Sequence, residues 1–73
     1  MNISMILHKS KIIVFQDRNF ICEAYIPNRD RYLSVDELPN FVNFFTEHAI
    51  FEPATSETII DIFEKWKSRL ILD

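Results

Sequence analysis

The 73-residue chain contains no glycine. Glycine is the residue that visits positive φ without a Cβ penalty, so every tight turn here must seat a Cβ-bearing residue there or use a longer loop. Asn and Asp tolerate that region best, because their short polar side chains bond to neighbouring backbone. Asn19, Asn28, Asn40 and Asn43 are therefore the expected turn positions. Average usage of about 7% would supply roughly five glycines. The same skew shows in seven Phe, and it suggests AT-rich coding of the kind common in phages and mobile elements.

The length leaves room for one small domain, spanning 1–73, and for one core. Scaling relations give about 4,700 Å² of folded surface against about 12,600 Å² unfolded. Such a margin is thin, and small chains usually widen it with disulfides or metal. Cys22 is the single thiol, so no intrachain bridge forms. The first residues lack the pattern of a secretory signal, and no apolar run approaches the ~18 residues that cross a bilayer. A cytoplasmic location is the expectation.

Segments 2–7, 11–16 and 20–26 are short and rich in β-branched and aromatic residues, with polar separators between them. This pattern predicts three antiparallel strands. Asp17-Arg18-Asn19 suits a three-residue hairpin with Asn19 left-handed, which sets Gln16 opposite Phe20. Ile12, Val14, Phe20, Cys22, Ala24 and Ile26 then share one face. Lys11, Ile13, Phe15, Ile21, Glu23 and Tyr25 share the other. Both faces are substantially apolar, and a chain this short has cover for one.

After the polar break at Pro27–Arg31, Leu38, Phe41, Val42, Phe45 and Ala49 recur at helical spacing until Pro53. Ser34 with Glu37 matches a capping box, but that start would put Pro39 inside the helix. Asp36 is the expected N-cap instead, with Pro39 in the first turn, where a missing N–H costs nothing. A first helix is predicted near 37–50. Thr55 or Ser56 then caps a second near 56–71, with Ile59, Ile62, Phe63, Trp66 and Leu70 as its apolar stripe. The predicted fold is α+β, β-β-β-α-α, with two antiparallel helices packed on one face of the sheet.

No GxSxG, HExxH or paired-cysteine motif occurs, and no glycine is present to cradle a phosphate. His8, Cys22, Glu47 and His48 have no spacing that marks a nucleophile pair or a metal site. Cys22 reads as a small core residue, both histidines as surface residues, and His48 as a partner for the C-terminal carbonyls of its helix. The expectation is no catalysis, no cofactor and no metal.

Charge is segregated along the chain. Residues 1–35 hold five basic and three acidic side chains, residues 36–64 hold no basic and seven acidic ones, and residues 65–73 hold three and one. The acidic span contains Asp36, Glu37, Glu47, Glu52, Glu57, Asp61 and Glu64. Helix dipoles account for Asp36, Glu37 and Glu57, since carboxylates are favoured at helix N-termini. Asp61 with Lys65 and Glu64 with Lys67 match supportive helix pairs. Glu47 and Glu52 have no such account. Unrelieved like charge costs stability and points to a basic partner. The basic residues Lys9, Lys11, Arg18, Arg29 and Arg31 cluster near the hairpin ends and the sheet–helix loop, with Phe15 and Tyr25 available to stack bases, a weak version of a base-stacking sheet. The sequence pI near 5.2 and the interspersed acids argue against nucleic acid as a partner.

The pattern therefore predicts a small non-catalytic protein-binding module, a regulator or inhibitor. Its acidic helical surface would dock on a basic, nucleic-acid-binding protein, with Phe44 and Phe51 as apolar neighbours of the carboxylates. The alternative is a homodimeric subunit that hides Ile13, Phe15, Ile21 and Tyr25 of the uncovered sheet face across a two-fold axis. No membrane partner is expected.

Overall fold

The structure is a computed structural model and describes residues 2–72. Three strands, β1 (Ile3–His8), β2 (Lys11–Gln16) and β3 (Asn19–Tyr25), form an antiparallel sheet in the order β1-β2-β3. Two short 3₁₀ turns, Arg29–Arg31 and Val35–Glu37, lead into helices α1 (Leu38–His48) and α2 (Ser56–Leu72). The predicted α+β arrangement is the observed one.

The turns show how a chain without glycine reverses direction. Lys9, Asp17, Arg18 and Asn28 hold φ of 55°, 50°, 73° and 62°. Of the expected turn residues, Asn28 alone takes this conformation; Asn19 opens β3, and Asn40 and Asn43 lie in α1. The β2–β3 link is not the three-residue loop expected. Gln16 pairs with Asn19 across the two residues Asp17 and Arg18, both left-handed. Two left-handed central residues give the mirror-image turn that matches the right-handed twist of the strands. Asp17 is held there by the N-terminal segment: its N–H donates to Asn2 O at 2.9 Å, and its Oδ1 accepts from Asn2 N at 3.1 Å.

The shorter turn is balanced by a bulge. Pairing slips by one residue after Val14, so Phe15 faces Phe20 rather than Ile21. This corrects the expected faces. Phe20 joins Phe15 in an edge-to-face contact at 6.2 Å and is 59% exposed, whereas Ile21 is half-buried and packs against the core. Extra residues of this kind re-aim side chains locally and leave the rest of the ladder unchanged.

Both helices lie over the sheet face that carries Met5, Ile12, Val14 and Ala24. There Phe41 and Phe45 of α1 and Ile59, Ile62, Phe63 and Trp66 of α2 complete one core. Phe41 meets Phe63 at 6.0 Å and Trp66 at 5.4 Å, in the edge-to-face geometry that ring quadrupoles favour. The Trp66 Nε1–H donates to Tyr32 O at 3.1 Å, so the buried indole is satisfied. Leu70, expected on the apolar stripe of α2, is exposed.

The start of α1 differs from expectation for a physical reason. The Ser34–Glu37 pair does form, with the Ser34 hydroxyl donating to Glu37 Oε1 at 3.1 Å and its N–H at 3.4 Å. It closes a 3₁₀ turn, not the α-helix itself, and α1 begins at Leu38 with Pro39 in its first turn. Both signals are thus accommodated, and Asp36 is not the cap. At α2, the Thr58 N–H donates to Thr55 Oγ1 at 3.2 Å, so Thr55 is the cap.

Arg29, one of the basic residues of the base-stacking reading, is buried, at 6% exposure. Its guanidinium donates to Leu33 O at 2.6 Å through Nη1, and to Lys9 O at 3.2 Å through Nε and 2.5 Å through Nη2. It ties the β1–β2 turn to the segment entering the helices. A phosphate cannot reach it.

Candidate functional site

Two surfaces result from laying both helices on one face. The first is the outward face of α2. With 3.6 residues per turn, Glu57, Asp61 and Glu64 fall on the side opposite the buried Ile59, Ile62, Phe63 and Trp66. All three carboxylates are exposed. Glu64 Oε2 lies 3.1 Å from Lys67 Nζ. Among the described residues, Glu57 and Asp61 have no ion pair, so the expected Asp61–Lys65 pair is not formed as a salt bridge.

The other predicted acidic residues are dispersed. Asp36 is exposed at the approach to α1, and Glu37 turns back on Ser34. Glu47 borders a shallow depression of about 300 Å³ with Asn40, Asn43, Phe44, Trp66 and Arg69. The Arg69 guanidinium lies over the Phe44 and Trp66 rings at 5.0 and 5.2 Å, which brings positive charge into the same depression. Glu52 borders a different depression of about 340 Å³, whose apolar wall includes Ile3, Phe45, Ala49 and Ile50. Phe51 beside it is 96% exposed. Phe44 is not a free apolar neighbour: it packs on Trp66 at 5.5 Å and stacks on His48 at 4.0 Å.

The second surface is the bare sheet face. Ile6, Phe20 and Tyr25 are more than half exposed, with Ile13 and Phe15 half-buried between them. Lys11 Nζ and Glu23 Oε1 form a 3.4 Å pair across the same face. Ile6 and Phe20 were missed at the sequence level, and Ile21 leaves the set for the core side. The alternation of β1, which pairs Ile6 with Ile13, carried the signal for Ile6. Nothing local marks the bulge that exposes Phe20.

The groups considered for catalysis stay apart. Cys22 pairs with Val14 in the sheet, and His8 lies at the β1–β2 turn. His48 Nδ1 donates to Phe44 O at 2.8 Å, capping α1 as its position suggested. Among the described residues no group of three potential metal ligands occurs, and no helix is long and apolar enough to cross a membrane. Burial raises the Cys22 thiol above its ordinary value. Its thiolate is therefore scarce at neutral pH, and the reaction with a disulfide reagent is expected to run more slowly in the folded than in the unfolded chain, accelerating as pH rises. Thiol titration with and without denaturant checks this, and equal rates would contradict it.

Compared with protein-family models, with curated proteins and with solved structures, the chain matches none.

Proposed function

We propose that this protein is a small non-catalytic binding module that docks the outward face of α2 on a basic surface of another protein, as a regulator or inhibitor. The observation that supports this is the row Glu57, Asp61, Glu64, of which the first two carry no ion pair among the described residues. A helix rises 1.5 Å per residue, so these carboxylates repeat along the axis at about 6 and 4.5 Å. A rigid row of this spacing offers anionic groups where a nucleic-acid-binding groove holds phosphates. The helix is fixed beneath it by Ile59, Ile62, Phe63 and Trp66, so little ordering is needed on binding.

Reversing Glu57 and Asp61 together to lysine tests the reading. Both are exposed and distant from the core side of α2, so the fold is expected to persist, as circular dichroism would show. Capture from the native cell by the wild-type chain should yield a basic protein, and the double variant should bind it about tenfold or more weakly. Equal binding by the two forms would reject the proposed face.

A further inference from the structure

The sheet has two edges, and they are not equally protected. β3 is interrupted by the bulge at Phe20 and Ile21 and carries Glu23. Bulges and charges on an edge are devices that discourage further pairing. β1 reads Ile-Ser-Met-Ile-Leu-His, with no proline, no bulge and no acidic or basic side chain other than His8 at its end.

The direction of the free backbone groups follows from the ladder. Asp17 N–H donates to Asn2 O, and Asn2–Asp17 continues the register of Ile3 with Gln16. In an antiparallel pair the hydrogen-bonded residues alternate. Asn2, Ser4, Ile6 and His8 therefore direct their N–H and C=O groups to β2. Ile3, Met5 and Leu7 direct theirs outward, and among the described residues no hydrogen bond reaches them across that edge.

We propose that β1 pairs with β1 of a second copy of this chain, antiparallel and centred on Met5, to form a continuous six-stranded sheet. The register is self-complementary. Ile3 faces Leu7 of the copy, Met5 faces its counterpart, and these are the residues whose backbone groups point outward, so all of them find partners. Ser4 faces Ile6 of the copy on the bare side of the sheet, where Ile6 is 52% exposed. No like charges meet across the two-fold axis, as an isologous contact requires. The molecule has surface to lose: its accessible area is 5132 Å², against about 4,700 Å² for a typical monomer of this mass. This inference does not depend on the acidic face of α2, which lies on the other side of the molecule's core.

Sedimentation from micromolar to millimolar concentration, together with amide exchange followed by NMR, tests it. Dimer is expected at the upper end. The amides of Ile3, Met5 and Leu7 should slow by roughly tenfold or more as dimer forms, while those of Ser4, Ile6 and His8 stay protected throughout. Ser4→Lys, at an exposed position, should weaken the dimer by about tenfold while leaving the melting of the dilute monomer unchanged. A monomer at every concentration would overturn the proposal. So would a dimer in which Ile3, Met5 and Leu7 exchange at the monomer rate, since association would then use the bare face or another surface.

Discussion

Replacing Arg29 by alanine is expected to lower the stability of the fold by about 2–4 kcal/mol, the range for removing a buried charged donor whose acceptors stay behind. The guanidinium is buried and, among the described residues, no carboxylate lies within ion-pair distance of it. Its charge is met instead by the dipoles of the Lys9 and Leu33 carbonyls. Lys9 is one of the four left-handed residues among those described, so the guanidinium holds the strained turn between β1 and β2 in place. Arg29→Lys should recover only part of the loss, because an ammonium is not a planar fork and cannot reach both carbonyls in the same way. Thermal melts would show the alanine variant down by roughly 10–30 °C for a domain of this size. An unchanged melting temperature would mean that the Arg29 contacts contribute nothing net.

Phe41→Ala is expected to cost still more, about 3–5 kcal/mol, through lost burial and the cavity left behind. Phe41 is fully buried and its ring meets Phe63 and Trp66 of α2. Removing it leaves a cavity where α1 meets α2. A domain of this length holds roughly 4–11 kcal/mol in total, so the variant should lose a large share of its stability and melt well below the wild type. Phe41→Leu, which keeps most of the volume, should cost about 1–2 kcal/mol. Denaturant midpoints of the two variants separate the cavity effect from the loss of the ring.

The strands and helices were legible because their signals are periodic and long enough to repeat. Ile12 and Val14 alternate with polar or half-exposed neighbours, and Ile59, Ile62, Phe63 and Trp66 recur at helical spacing; each set is buried as that spacing implies. The β2–β3 turn was misread because its conformation is selected from outside the segment. Asp17 takes positive φ while bonded to Asn2, fifteen residues earlier, and no local dipeptide signals it. The bulge is the consequence, and it exchanges the roles of Phe20 and Ile21. Arg29 was misplaced for a similar reason. Its acceptors are Lys9 O and Leu33 O, and only the folded topology brings Lys9 to it.

The acidic surface was partly legible. Helical periodicity alone sets Glu57, Asp61 and Glu64 in one row. Composition groups Glu47 and Glu52 with them, but these two border separate depressions, one shared with Arg69. A run of like charge in a sequence does not become a patch in space when a loop and a helix reversal fall within it.

Salt titration of the wild-type complex, once its partner is captured, tests most directly whether the row on α2 docks through charge. Exposed charges interact over a Debye length of about 10 Å at 0.1 M salt and only about 3 Å at 1 M. Affinity is therefore predicted to fall steadily with added salt and to be largely lost near ~0.5 M, mainly through slower association. A complex whose affinity is unchanged across that range would be held by apolar contact, and the carboxylates of α2 would be solvent-facing groups with no part in it.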